Sequence, residues 1–210
     1  RELRGVVKTV KVGSALFTVC GPPVIQRLRA LGFEVMLDLK FFDIPNTVAL
    51  SCRAAARHRV SMVTVHARGG REMLEAAVRG SRQEARLRRM PPPRVLAVTI
   101  LTSAGAGRST IGDVLALART AQAAGCDGVV ASAHEARALR ARFSRRLRIV
   151  CPGIRPRASA RGDQRRVATP ARALADGADW LVVGRPITAA RSPQAAARSI
   201  LREMAEGTAC

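Results

Sequence analysis

Aromatic residues are scarce in this 210-residue chain: five Phe, one Trp and no Tyr. Single-stranded nucleic acids are read by bases stacking on aromatic side chains set among basic ones. The chain carries a net charge of +21 without any such interleaving. Its basicity therefore predicts weak, salt-sensitive adhesion to polyanions and no specific nucleic-acid binding. Lysine is also rare. Lys8, Lys11 and Lys40 are the only three among 36 basic residues, which leaves 33 arginines. Arg serves wherever a generic positive charge is wanted, so the two Lys at apolar strand ends, Lys11 and Lys40, mark places where an ammonium's adjustable proton matters. No Pro/Gly/Ser-rich linker divides the sequence, and one domain over residues 1–210 is expected. No apolar run approaches the roughly 20 residues of a membrane span, and the Arg-rich start lacks a signal-peptide core. A cytoplasmic protein with no membrane partner is the expectation. Five cysteines, odd in number and without a Cys-x-x-Cys pair, suggest neither a disulfide framework nor a zinc site.

Short apolar runs alternate with Ala/Arg/Leu-rich segments every 25 to 35 residues. The pattern predicts strands near 7–13, 34–40, 62–67, 95–101, 128–132, 148–153 and 180–184. Helices are predicted near 22–32, 45–58, 69–88, 111–124, 133–142, 169–177 and 189–205. Unalternating apolar strands separated by helices mean a parallel sheet covered by helices. Seven such units, with no Gly-x-Gly-x-x-Gly after the first strand, favour an α/β fold of the (β/α)8 TIM-barrel type over a doubly wound sheet. Residues 1–5 read as the tail of a helix, so the first βα unit is expected to be missing from this sequence.

The segment Asp38-Leu39-Lys40-Phe41-Phe42-Asp43-Ile44-Pro45-Asn46-Thr47 is the most informative in the chain. It closes the apolar run Val35-Met36-Leu37, so Asp38 and Lys40 fall two apart on a strand and project from one face. A carboxylate and an ammonium are forced side by side. Asp43 follows, just before a Pro45 suited to the first turn of a helix.

In (β/α)8 barrels the active site gathers at the C-terminal ends of the strands. Those ends carry Lys11 and Gly13, Asp38 and Lys40, His66, Thr102 and Ser103, Pro152 and Arg155, and Gly184 and Arg185. The turn Val182-Val183-Gly184-Arg185-Pro186 has the chemistry of a monophosphate site, with backbone N–H groups, a glycine and a forked cation before a helix. The long polar stretch 155–168 has the length of a lid, with Gln164 or Arg155 able to reach a ligand. His66 is expected to be a buried, hydrogen-bonded structural residue, and His58 and His134 to lie on helix surfaces. Gly105-Ala106-Gly107 lacks the spacing of a nucleotide cradle.

These segments, together with Val63-Thr64-Val65-His66-Ala67, Pro152-Gly153-Ile154-Arg155-Pro156 and Gly162-Asp163-Gln164-Arg165-Arg166-Val167, resemble in order and spacing the orotidine 5'-monophosphate decarboxylase family, in its common bacterial branch. The resemblance runs from about residue 6 to 202. It implies a cofactor-free and metal-free decarboxylation of a nucleotide substrate, on a homodimer of barrels. Lys40 would protonate C6 as carbon dioxide leaves. Asp38 would lie against the substrate carboxylate and hold Lys40, and Lys11 would complete the charge chain and contact the ribose. Asp43, with Ile44 and Thr47, would reach the neighbouring subunit's site. Thr102 and Ser103 would face the pyrimidine, Pro152 would line the site, and Arg155, Gln164, Gly184 and Arg185 would close on the phosphate. The first-strand Asp of the family, which contacts the ribose, has no counterpart in this sequence. Two rivals remain: a magnesium-dependent sugar-phosphate decarboxylase or aldolase of the same barrel group, and a truncated, inactive barrel acting as a basic binding protein. The Ile-Pro-Asn-Thr continuation and the Gly-Asp-Gln segment disfavour the first.

Overall fold

Unalternating apolar strands are buried on both faces, and here they pair in parallel. In the computed structural model, which describes residues 1–101, 110–156 and 168–206, seven strands alternate with helices and follow one another in the sheet in chain order. The chain forms two compact units, Val7–Val98 with Leu117–Gly128, and Arg1–Val6 with Thr99–Ala116 and Val129–Cys210.

The first of these holds β1 (Thr9–Gly13), α1 (Ser14–Cys20), α2 (Pro23–Ala30), β2 (Glu34–Phe41), α3 (Pro45–Arg57), β3 (Met62–His66), α4 (Gly70–Leu87) and β4 (Arg94–Val98). Val12, Val35, Val63, Val65 and Leu96 are fully buried or nearly so, which is what an apolar strand covered on both faces requires. β1 pairs with β2 in unbroken register, Lys11 opposite Met36 and Gly13 opposite Asp38. β3 pairs with β4 just as regularly. Between them, β2 and β3 lose register after Leu37.

Helices α3 and α4 pack closely because Gly80 has no side chain: a Cβ there would fall 2.3 Å from the Ala49 carbonyl oxygen. The same pair is tied by Glu84, whose carboxylate is nearly inaccessible to solvent and accepts from Arg53, Arg57 and Arg88. Those hydrogen bonds, led by Arg88 and Arg57, hold the carboxyl down at about 2. A buried acid with three guanidinium partners is satisfied, and much of the arginine excess on these helices is accounted for locally.

In the second unit lie α6 (Ala133–Phe143), β6 (Arg148–Cys151), α7 (Pro170–Ala175), β7 (Trp180–Leu181), α8 (Arg185–Thr188) and α9 (Pro193–Glu206), while α5 (Ile111–Ala123) and β5 (Gly128–Val130) contribute residues to both. α6 begins with a capping box in which Ser132 and Glu135 satisfy each other's backbone groups. β6 and β7 pair in parallel through Val150 opposite Trp180. Asp179 fixes the entry to β7: it accepts from the Ile149 amide and from Arg140 and Arg148.

Three sequence expectations need correction. Residues 1–6 form turns, closed by the Arg4 and Val6 amides, and not a helical tail. Helix α1 was not anticipated, since none of its residues is buried and so it has no apolar stripe to betray it. The helix expected at 189–205 is α9, which begins only at Pro193, and the short α8 ahead of it lies outside the expected range. Of the cysteines, Cys52, Cys126 and Cys151 are buried free thiols, each pushed up to about 12 by burial, whereas Cys20 is exposed.

Candidate active site

The C-terminal ends of β1, β2 and β3 bring three charged side chains and one hydroxyl together. Asp38 receives the Lys40 ammonium on Oδ1 at 2.9 Å and the Lys11 ammonium on Oδ2 at 3.1 Å. The Thr64 hydroxyl donates to the same Oδ1 at 3.0 Å. Regular β1–β2 register is what delivers Lys11, because residues 11 and 13 of β1 share a face with residues 36 and 38 of β2. Gly13 keeps the space above it open: a Cβ there would lie 3.2 Å from the Lys11 Nζ. The Asp38 side chain is only 11% exposed, while those of Lys11 and Lys40 are 36% and 37% exposed. One shielded carboxylate thus anchors two ammoniums that keep a face toward solvent.

Burial by itself raises the Asp38 pKa, but the hydrogen bond and charge of Lys40, followed by the charge and hydrogen bond of Lys11, outweigh it. The carboxyl is held below its ordinary value. Asp38 is therefore ionised at neutral pH, and the cluster carries one net positive charge.

Local backbone geometry sets this arrangement. Leu37 pairs with Val63, but the next pair is Phe41 with Val65, so Asp38, Leu39 and Lys40 all stand opposite the single Thr64. This is a β-bulge, which re-aims side chains and recurs beside active sites. Within it Lys40 adopts φ 53°, in the left-handed region that a residue with a Cβ occupies at a cost. Its amide, turned out of the ladder, donates to the Thr64 Oγ1 at 2.9 Å. Among the described residues, the other non-glycine positions with positive φ, Arg59, Arg89 and Ser144, all lie just beyond helix C-termini. Lys40 alone among them sits within a strand.

The ion pairs and hydrogen bonds of this cluster do not include Asp43, Ile44 or Thr47. All three are exposed where the chain enters α3, and the Asp43 Oδ1 accepts the Ile44 amide at 2.7 Å. His66 is half-buried at the end of β3, its Nδ1 accepting from the Arg68 amide and its ring 5.4 Å from that of Phe42. Burial, then the charges of Arg68 and Lys40, lower its pKa, which keeps the imidazole neutral at physiological pH. His134 is exposed on α6, as expected, and His58 caps the end of α3 half-buried.

In the other unit, Arg155 is buried and bonds the Ile154 carbonyl. Pro152 is half-buried after β6, and Gly184 and Arg185 are exposed where the chain enters α8. Thr102, Ser103, Gln164, the Gly105-Ala106-Gly107 segment and most of the polar stretch after Arg155 lie outside the described residues. Among the described residues no three His, Cys, Asp or Glu side chains come together as metal donors.

One residue of the cluster, Thr64, and the bulge opposite it are not legible in the sequence. Thr64 carries no signal of a role, since a β-branched residue in an apolar strand reads as packing. The bulge leaves no signal, because the spacing of Asp38 and Lys40 is that of an ordinary strand.

Comparison with known proteins settles what this arrangement belongs to. The sequence model described as "Orotidine 5'-phosphate decarboxylase / HUMPS family" matches residues 1–200. The chain belongs to this family. It is 54% identical over 207 residues to an orotidine 5'-phosphate decarboxylase of Halorhodospira halophila, covering 93% of this chain and 84% of that one. The enzyme of the same name from Moorella thermoacetica is 49% identical, with 92% and 81% covered. Among solved structures, the orotidine 5'-phosphate decarboxylase of Lactobacillus acidophilus superposes with a TM-score of 0.80 at 38% identity, covering 93% of this chain and 86% of that one. That of Pyrococcus horikoshii OT3 gives 0.80 at 25% identity, with 97% and 90% covered. The fold is accordingly the (β/α)8 barrel of the orotidine 5'-phosphate decarboxylase family, with seven of its strands among the described residues.

Proposed function

We propose that this chain decarboxylates orotidine 5'-monophosphate to uridine 5'-monophosphate in pyrimidine biosynthesis, as a cofactor-independent carboxy-lyase. The observation that carries the chemistry is the Lys11–Asp38–Lys40 cluster, in which one anchored carboxylate holds an ammonium on either side. In the reaction the bond from C6 to the carboxylate carbon breaks, its electron pair stays on C6 and carbon dioxide departs. Lys40 stabilises that developing carbanion with its charge and then delivers a proton from Nζ to C6. Asp38 holds Lys40 in place and, facing the substrate carboxylate, disfavours the bound ground state. Fixed charges already aimed at the reacting carbon need no reorganisation as charge develops. Lys11 completes the array and reaches the ribose.

The remaining roles come from family resemblance. Thr102 and Ser103 face the pyrimidine, Pro152 lines the site, and Arg155, Gln164, Gly184 and Arg185 take the phosphate, all within one barrel domain over residues 1–210. We place Asp43, Ile44 and Thr47 in the site of a second copy of the chain, in a homodimer. In support, Asp43 is exposed and accepts the Ile44 amide rather than a cluster ammonium, and Phe42, Ile44 and Leu50 leave large apolar side chains in solvent near the start of α3. No described helix is long and apolar enough to cross a membrane. A cytoplasmic enzyme without nucleic-acid partners completes the reading.

The test is release of carbon dioxide from orotidine 5'-monophosphate by the parent and by Lys40→Ala and Lys40→Arg. Alanine removes the proton and arginine keeps the charge but cannot readily donate, so both should be silent while remaining folded. Either variant retaining activity within about tenfold of the parent would remove Lys40 as the proton donor.

A further inference from the structure

The Thr64 hydroxyl occupies an unusual position between two groups that the chemistry depends on. Thr64 is completely buried in β3. Its one proton goes to the Asp38 Oδ1 at 3.0 Å, and one of its lone pairs takes the Lys40 amide at 2.9 Å. A hydroxyl is one donor and two acceptor sites, so a single atom satisfies both partners. Valine, of nearly the same shape and equally at home in a buried strand, could do neither.

The two bonds act on different coordinates of the Lys40–Asp38 pair. The bond to the amide captures an N–H that the bulge has removed from the sheet ladder, and holds the Lys40 backbone at φ 53°. Without that acceptor the amide is left unpaired beside a buried strand, and the left-handed conformation loses its support. The bond to Asp38 holds its Oδ1, the same oxygen that receives the Lys40 ammonium at 2.9 Å, leaving Oδ2 to Lys11. Backbone and side chain of Lys40 are thus both referred to one point in β3.

We propose that Thr64 is a positioning residue of the reaction, its hydroxyl setting the direction of the Lys40 ammonium by fixing the Lys40 backbone and the Asp38 carboxylate together. It touches neither substrate nor reacting atoms. The proposal rests on the decarboxylase reading above and adds to it the residue that makes the bulge usable. Misdirection of a proton donor by a fraction of an ångström leaves substrate binding nearly intact and slows the chemical step, so kcat and not KM carries the effect.

The experiment compares Thr64→Val and Thr64→Ser with the parent in two readouts. One is steady-state turnover of orotidine 5'-monophosphate. The other is titration of the Asp38 carboxyl carbon by NMR in the ligand-free protein. The charged and titratable groups around Asp38 are Lys11 on β1, Lys40 on β2 and, next to Lys40, His66 on β3, none of which the substitutions change. Thr64→Val should lower kcat by about tenfold or more with KM within about threefold, and raise the Asp38 midpoint because a donor to the ionised form is gone. Thr64→Ser, which keeps the hydroxyl, should match the parent in both. A Thr64→Val protein with parental kcat or an unmoved Asp38 midpoint overturns the proposal, as does a Thr64→Ser protein that loses as much as Thr64→Val. Should Thr64→Val fail to fold, Thr64→Ser decides alone: parental values support the role, and a loss of about tenfold rejects it. A parent inactive on the nucleotide would sink the decarboxylase reading, and the titration would still judge what Thr64 does to Asp38.

Discussion

At the scale of single residues, Asp38 is the pivot. It is shielded from water, two ammoniums and a hydroxyl address its two oxygens, and Lys40 and Lys11 outweigh the upward pull of burial on its pKa. A folded-state pKa below the ordinary 3.8 has a definite consequence for stability. The contribution is fully present above the unfolded value and is lost as pH falls through the lowered folded value. Lys40 exerts the largest lowering effect, so Lys40→Ala should shift acid unfolding, followed by circular dichroism, to higher pH. An acid midpoint equal to that of the parent would show that the pair contributes nothing to the folded state. The proximity of Asp38 and Lys40 was legible from sequence, because spacing of two on a strand puts side chains on one face whatever else happens. What was not legible is how they meet. A left-handed φ at Lys40 is dictated by two extra residues opposite Thr64, and nothing in the types Asp, Leu and Lys demands a bulge.

Among elements, the α3–α4 contact shows how sequence and packing divide the information. The long periodic segments behind α3 and α4 were placed to within one residue, since their apolar faces repeat at helical spacing. Their closeness depends on one missing methyl group. A Cβ at Gly80 would meet backbone, the Ala49 carbonyl, which cannot swing aside as a side chain would. Gly80→Ala should therefore destabilise the protein by about 1–3 kcal/mol despite alanine's better helix propensity. Urea unfolding measures this, and a change under about 0.5 kcal/mol would mean the helices separate freely. The elements that sequence misplaced share a different cause. α1 buries nothing, α8 spans only Arg185–Thr188, and β7 is the two residues Trp180 and Leu181. Each is too short or too exposed to leave a periodic pattern.

For the molecule as a whole, family membership and fold were both legible, because a run of ordered motifs carried the resemblance and strand-helix alternation carried the architecture. The assignment of Asp43 to a second copy's site is the part that only an assembly can test. Lys40→Ala and Asp43→Asn chains, each inactive, should regain activity when mixed, because a heterodimer would hold one site with both residues intact. With subunit exchange verified, silence of the mixture would confine each site to one chain. Metal-independent decarboxylation of a pyrimidine nucleotide is tested by product formation from orotidine 5'-monophosphate in the presence of a strong chelator. Uridine 5'-monophosphate and carbon dioxide should form in equal amounts, at a rate unchanged by added magnesium. No uridine 5'-monophosphate, together with a magnesium-dependent reaction on a sugar phosphate, would contradict it.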